Sequence, residues 1–131
     1  MKPAALGNLL PRMTVVALCM ALVGLVAGAR LFQRPKTVIQ VVTIKWTADA
    51  APEQRKAALD AIEKVAAAAP GVRNVWLRTI RTQPRDFMTA FAFEFEDLPS
   101  AERFHSLPAY ELWKKTYLPL IEESRTQEVG N

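Results

Sequence analysis

Few residues of this sequence belong to the types that carry chemistry. His105 is the single histidine and Cys19 the single cysteine, so neither has a second imidazole or thiolate with which to share a metal ion. A lone histidine three residues before Pro108 on an amphipathic helix is typical of a surface or half-buried side chain with one hydrogen bond, rather than of a haem ligand. We therefore expect no metal and no cofactor.

Carboxylates stand close together at Glu94, Glu96 and Asp97. Paired carboxylates can act as general acid and base. Here their position between an alternating apolar run and Pro99 predicts the solvated end of a strand and the N-cap of a helix. The sequence has five glycines and contains no nucleophile elbow, glycine-rich phosphate loop or dinucleotide fingerprint. It therefore specifies no reaction.

A charge-free run, Met13–Ala29, divides the chain in two. Its length lies between that of a long signal-peptide core and the roughly 20 residues that span a bilayer as a helix. Ala27-Gly28-Ala29 provides a small-x-small cleavage site, whereas Leu31-Phe32 would extend the apolar stretch, so a signal peptide and a membrane anchor both stay open. Either predicts a protein of the cell envelope, held by a single span or exported. Residues 1–36 form this segment, and residues 37–131 form one folded domain.

The basic excess of the chain lies in that first segment. It holds five of the 17 basic residues and none of the 13 acidic ones, so the rest of the chain is close to neutral. Because nucleic-acid binding needs a concentrated basic field on the folded part, we expect no nucleic-acid partner. Four arginines around one predicted hairpin favour a solvated edge-strand face. They are Arg73, Arg78, Arg81 and Arg85.

Hydrophobic periodicity predicts the element order β-α-β-β-α-β in the domain. In chain order the elements are a strand Thr37–Trp46, a helix from Asp49 and Pro52 to Pro70-Gly71, a hairpin of strands Val72–Arg81 and Asp86–Phe95 with its turn at Thr82–Arg85, a helical region from Asp97 to about Leu118 that restarts at Pro108, and a closing strand Ser124–Val129. This order is the ferredoxin-like α+β arrangement. Right-handed crossovers place both helical regions on one face of a four-stranded antiparallel sheet.

Alternation along the strands predicts two sheet faces of different bulk. The bulkier face, which should receive the helices, carries Val38, Val42, Ile44, Trp46, Phe87, Phe91, Phe93 and Phe95. The opposite face carries Ile39, Val41, Thr43, Val75, Leu77, Met88, Ala90 and Ala92. Since this second face is too apolar to stay in water, we expect two sheets to meet face to face in a homodimer and close a barrel.

Three segments, Val41–Trp46, Pro70-Gly71-Val72 and Phe104–Tyr110, resemble the stress-responsive A/B barrel (Dabb) family, and the likeness covers Val38–Val129. The resemblance implies a dimeric α/β barrel with a pocket in each subunit between sheet and helices. Plant polyketide cyclases of that family use histidines and a tyrosine of this pocket to fold and close a polyketide chain. The corresponding positions here hold other residues, which are the candidates for lining the pocket: Gln40, Thr89, Phe104 and Tyr110.

None of these four residues is a candidate catalytic group of the cyclase type. Glutamine and threonine do not exchange protons near neutral pH, and a tyrosine, with an ordinary pKa of about 10, is a poor base. We interpret the chain as a non-catalytic, membrane-associated or exported Dabb-like barrel domain that binds a small apolar ligand or a protein partner. The alternative is an enzyme on a hydrophobic substrate, similar to a polyketide cyclase or a cofactor-independent monooxygenase, with Tyr110 as acid or base.

Overall fold

The computed structural model describes residues 33–131, which contain a four-stranded antiparallel sheet and three α-helices. The strands are β1 (Val38–Trp46), β2 (Val72–Trp76), β3 (Thr89–Phe95) and β4 (Ile121–Val129), and the helices are α1 (Pro52–Ala68), α2 (Leu98–His105) and α3 (Pro108–Tyr117), followed by a 3-10 helix at Leu118–Leu120. The strand order β2-β3-β1-β4 confirms the predicted ferredoxin-like fold. The apolar run Met13–Ala29 lies outside the described residues.

Local sequence signals set the helix boundaries. Each α-helix has a proline in its first turn, where a missing N–H costs nothing. The carboxylate of Asp97 accepts the backbone N–H of Ser100 at 2.8 Å, which confirms the predicted N-cap of α2. After α1 the chain turns at Gly71, whose φ of 82° lies in the left-handed region. A Cβ at Gly71 would stand 2.4 Å from Ser100 Oγ, so the position requires glycine for two reasons.

The core lies between the sheet and the helices. Alternate residues of β1 and β3 face it, as predicted, and the buried members are Val42, Ile44, Trp46, Phe91, Phe93 and Phe95. Phe104 of α2 packs on Phe93 with ring centroids 5.0 Å apart. The indole Nε1 of Trp113 donates to the carbonyl oxygen of Ala58 at 2.8 Å, which joins α3 to α1. Aromatic packing therefore determines how the helices sit on the sheet.

The predicted hairpin is wrong in its extent. β2 ends at Trp76, and β3 begins only at Thr89. Beyond Trp76 the hydroxyl of Thr79 takes the place of a ladder partner, because it accepts the backbone N–H of Ala90 at 2.8 Å and donates to the Ala90 carbonyl at 3.0 Å. Residues 77–88 consequently form a loop with a cis Gln83–Pro84 peptide bond, instead of a tight turn at residues 82–85.

A β-bulge changes the alternation of β2. Val72 pairs with Phe95, but Asn74 pairs with Glu94, so Arg73 is an extra residue on this strand. The two residues on either side of a bulge no longer obey the simple alternation of inward and outward side chains. The face occupied by the rest of β2 therefore depends on this one inserted residue.

The bulge makes the predicted faces of Val75 and Leu77 wrong. Val75 pairs with Phe93, which faces the helices, and both Val75 and Leu77 pack against the core. Trp76 instead pairs with Ala92 on the opposite face, where 48% of its surface is exposed. Trp76 thus takes the place that the alternation pattern had assigned to its two neighbours.

The residues before β3 also exchange sides. Phe87 is buried but does not belong to the main cluster of core residues, and its ring centroid lies 4.5 Å from the guanidinium carbon of Arg125. Met88 was expected on the face away from the helices, yet its sulfur lies 3.8 Å from Arg55 of α1. The predicted faces of Phe87 and Met88 are therefore wrong. The Phe87 N–H donates to the Pro84 carbonyl in a loop turn, so these two residues precede β3 and do not follow the alternation that starts at Thr89.

We call the sheet face away from the helices the open face. Its centre is apolar and half-buried, and it consists of Ile39, Val41, Thr43, Ala90 and Ala92. Trp76 on β2 lies at one margin, and β4 adds the polar side chains of Arg125 and Gln127, which pair with Thr43 and Val41, at the other. Among residues 33–131, no helix is long and apolar enough to cross a membrane.

Candidate functional site

A cavity of about 90 Å³ lies between α3 and the helix-facing side of the sheet. Six of its lining residues are apolar: Val42, Ile44, Phe91, Trp113, Leu118 and Ile121. The remaining four carry polar groups and come from two elements only, Tyr110 and Lys114 from α3 and Ser124 and Thr126 from β4. An apolar cavity with a few polar groups is the usual form of a small-molecule site.

Helical and strand periodicity place these polar groups together. Tyr110, Trp113 and Lys114 are spaced three and four residues apart, so they share one face of α3. Ser124 and Thr126 alternate along β4, and they pair with Ile44 and Val42 of β1, whose side chains are buried under the helices. The two polar pairs therefore line the same cavity from the helix side and from the edge strand.

The size of the cavity limits what it accepts. Drug-sized ligands occupy pockets of roughly 300–1,000 Å³, and an apolar cavity of about 150 Å³ binds benzene. The cavity of this protein, at about 90 Å³, has room for one end of a small molecule, such as a ring edge or a short alkyl chain. The remainder of such a ligand would stay beside the polar groups.

Tyr110 is the one predicted pocket residue that lines this cavity. Burial raises the pKa of its hydroxyl above the ordinary value of 10.0. Its ring stacks on Trp113 at a centroid distance of 6.1 Å and an interplanar angle of 6°, and on His105 at 5.6 Å. Tyr110 is therefore held in place as a protonated hydroxyl, which can donate a hydrogen bond and is a poor base.

Lys114 provides the positive charge of the cavity. Its Nζ lies 2.7 Å from Glu111 Oε1 and 5.2 Å from the centroid of the Tyr110 ring. Hydrogen bonding to Glu111 raises the pKa of Lys114, so its amine stays charged at neutral pH. Glu111 itself does not line the cavity.

Gln40 belongs to a polar cluster beside the cavity. It is only 1% exposed, and its Nε2 donates to Glu128 Oε1 and to His105 Nε2, each at 2.8 Å. A carboxamide nitrogen has no lone pair with which to accept, so His105 Nε2 is the acceptor in this contact. The sequence predicts a surface or half-buried His105 with one hydrogen bond; the side chain is half-buried and bonds to Gln40.

The other two predicted pocket residues lie in the packed interior. Thr89 is buried and accepts the indole N–H of Trp46 at 2.7 Å. Phe104 is buried between Phe93 and Tyr110, with ring centroids 5.0 Å away on each side. Phe104, Gln40 and Tyr110 are thus brought together through direct contacts and through His105, whereas Thr89 lies apart from them.

Sequence reasoning missed Lys114, Ser124 and Thr126. The spacing of Lys114 four residues after Tyr110 predicts a shared helix face, so this signal was present. Alternation placed Ser124 and Thr126 on one face of β4, but only the pairing with β1 shows which face that is. Within residues 33–131, no group of three or more His, Cys, Asp or Glu side chains could hold a metal ion.

No protein-family model matches the sequence, and no curated protein matches it significantly, but solved structures do. A Dabb family protein with a ferredoxin-like fold from Mesorhizobium loti matches with a TM-score of 0.63 and 20% identity, over 72% of this chain and 96% of its own. A dimeric ferredoxin-like protein from Thermobifida fusca matches with a TM-score of 0.65 and 13% identity, over 78% of this chain and 97% of its own. SnoaB, a cofactor-independent oxygenase from Streptomyces nogalater, matches with a TM-score of 0.61 and 16% identity, over 73% of this chain and 93% of its own. These likenesses show a shared ferredoxin-like fold.

Proposed function

We propose that the chain is a Dabb-like barrel domain that binds a small, mainly apolar molecule in the cavity between α3 and the sheet. The observation that carries the proposal is the composition of that cavity, which combines six apolar residues with four that carry polar groups. Burial of an apolar ring or alkyl chain there would contribute about 25 cal/mol per Å² removed from water. The polar groups would orient the exposed end of the ligand.

The side chains around the cavity favour binding over turnover. The hydroxyl of Tyr110 has a raised pKa and holds its proton. The nearest imidazole, His105, has its Nε2 lone pair occupied by Gln40. A proton acceptor of the strength that general-base catalysis needs is therefore lacking among the residues that line the cavity.

We also propose that two copies pair through the open face. Its apolar centre, including Val41, Ala90 and Ala92, would otherwise stay in contact with water. The dimeric state of the Thermobifida fusca protein with the same fold supports this assignment. A protein partner other than a second copy would have to compete for the same surface.

For the first segment we propose a place in the cell envelope. Met13–Ala29 carries no charge, and a stretch of this length partitions out of water, either as a single-pass anchor or as a signal removed after Ala29. Membrane fractionation and the mass of the mature N-terminus separate these two outcomes. Full-length protein recovered in the soluble cytosolic fraction would contradict both.

Native mass spectrometry and NMR titration with small aromatic probes test ligand binding. We expect a bound small molecule, or saturable shifts of the Trp113 indole N–H, in the full chain. Ser124→Phe should fill the cavity and abolish binding, whereas Ala57→Phe, at an exposed position of α1, should leave it unchanged. Absence of binding in the unaltered chain, or equal loss in both variants, would overturn the proposal.

The second candidate function is an enzyme acting on a hydrophobic substrate. The presence of Tyr110 in the cavity lining favours it, as does the fold shared with SnoaB. Because burial raises the pKa of Tyr110, its role would be that of an acid rather than a base. Turnover that disappears in Tyr110→Phe while ligand binding persists would establish this function in place of the first.

A further inference from the structure

We propose that the cavity selects small carboxylates over neutral molecules, with the carboxylate beside Lys114 and the apolar end of the ligand against Phe91 and Trp113. This inference rests on the proposed ligand-binding function and names the class of ligand. It follows from the positive charge of Lys114 and from the hydrogen-bond donors of the other polar lining residues.

The lining contains a cation and no anion. Lys114 is its one charged residue, and the hydroxyls of Ser124 and Thr126 lie on the strand across from α3. An ammonium offers three N–H donors, and each hydroxyl offers one more. A carboxylate accepts at two oxygens with about four lone-pair sites, so it matches this set of donors, whereas a neutral amide would bring N–H groups of its own to them.

The ammonium of Lys114 has donors left for a ligand. Its contact with Glu111, at 2.7 Å, uses one N–H, and the Tyr110 ring at 5.2 Å keeps the side chain close to the cavity. Glu111 is exposed and lies outside the lining. The carboxylate of Glu111 therefore competes with the carboxylate of a bound ligand for the Lys114 ammonium. The two negative charges also repel each other.

The dimensions agree with a ligand of this kind. A cavity of about 90 Å³ takes a ring edge or a short chain and leaves the attached headgroup beside the polar groups. Ser124 and Thr126 are exposed, so an ionised headgroup there keeps contact with water and the ligand avoids the large cost of burying a charge completely.

Benzoate and benzamide form a matched pair of probes, since they share shape and differ in charge. The experiment titrates each into the full chain, held in nanodiscs of zwitterionic lipid, and follows the indole N–H resonance of Trp113. We expect benzoate to bind about tenfold more tightly, as is typical of one added charge-assisted hydrogen bond. The difference should shrink as salt is raised.

Three variants connect this preference to Lys114. Lys114→Met should bring benzoate to the affinity of benzamide, while Lys115→Met, the adjacent exposed lysine outside the lining, should keep the preference. Glu111→Gln should tighten benzoate several-fold because it removes the competing carboxylate. Unchanged benzamide binding in Lys114→Met shows that the cavity is intact, and if that variant fails to fold, Glu111→Gln still tests the proposal.

The outcomes separate the two proposals. Equal affinity of the unaltered chain for both probes, an equal loss in Lys115→Met, or weaker benzoate binding in Glu111→Gln would overturn carboxylate selectivity and leave ligand binding standing. Failure of both probes to bind would overturn ligand binding itself.

Discussion

Gln40 and His105 are joined by a hydrogen bond of 2.8 Å between their two Nε2 atoms. The same amide nitrogen donates to Glu128 at 2.8 Å, so one buried side chain of β1 ties the end of α2 to the edge strand β4. Gln40 stands where the Dabb resemblance implies a histidine. In this chain the position therefore serves to connect three elements and does not present a titratable group to the cavity.

Replacement of Gln40 by methionine, which has a similar length and volume, should lower the free energy of unfolding by roughly 1–2 kcal/mol. The variant removes the donor shared by His105 and Glu128 without opening a large cavity. Urea unfolding, followed by the fluorescence of the three tryptophans, measures the loss. Lys64→Met, at an exposed position of α1, is the control and should change stability by less than about 0.5 kcal/mol. Equal effects of the two substitutions would refute the role assigned to Gln40.

Gly71→Ala should destabilise the domain by roughly 2–4 kcal/mol, because the left-handed backbone and the collision with Ser100 act together. A double-mutant cycle with Ser100→Gly separates these two causes. The double variant should lose less stability than the sum of the two single variants, since it removes the collision and leaves the backbone strain. Additive losses in urea unfolding would show that the contact between the two residues is unimportant.

The carboxyl group of Asp97 should make the domain sensitive to acid. The hydroxyl and the backbone N–H of Ser100 lower the pKa of Asp97 below its ordinary value of 3.8. The stabilisation is therefore complete above that ordinary value and is lost as pH falls through the lower, folded-state value. Asp97→Asn keeps a capping oxygen but cannot titrate, so its stability should fall less steeply between pH 5 and pH 2. The pKa of Glu94 is also lowered, but Glu94 is present in both the unaltered chain and Asp97→Asn and so does not change the comparison. Parallel curves of unfolding free energy against pH for the two proteins would contradict the prediction.

Ala90→Glu should separate the proposed dimer into monomers. Ala90 lies at the centre of the open face, opposite Thr43, and a glutamate there would be buried without a partner at the interface. Light scattering coupled to a sizing column gives the mass of the full chain and its variant. Ala57→Glu, which places the same charge on the exposed side of α1, should remain dimeric. A monomeric unaltered chain at micromolar concentration would count against the barrel.

The domain should not cyclise a polyketide chain. Gln40 and Phe104 are buried and contact interior residues, and Thr89 accepts a hydrogen bond from the Trp46 indole N–H. Burial raises the pKa of the Tyr110 hydroxyl, so it keeps its proton. Proton transfer by a positioned side chain contributes about 10²–10⁴ in rate, and we expect this contribution to be missing here. Incubation with a linear tetraketide thioester, followed by analysis for the cyclised acid, tests the expectation. Product formed above the buffer rate and lost in Tyr110→Phe would make Tyr110 the catalytic acid.

The sequence by itself determined the element order and most of the core. When one face of a strand or helix is buried, apolar residues recur with a period of two or 3.6 residues. This pattern in the sequence was enough to predict β1, α1 and the helix-facing residues of β3. The prolines at the helix starts and the cap at Asp97 are likewise local, because each acts within one turn. These predictions needed no knowledge of distant contacts.

Only the tertiary structure decided the faces of β2 and the composition of the site. The bulge at Arg73 and the two hydrogen bonds between the Thr79 hydroxyl and the Ala90 backbone depend on where β3 lies. No local sequence pattern predicts that position. Gln40 meets His105 and Glu128 across 65 and 88 residues of sequence. Such contacts arise from strand register and helix packing, which many weak interactions determine together, so the residues that form the cavity become neighbours only when the whole sheet is assembled.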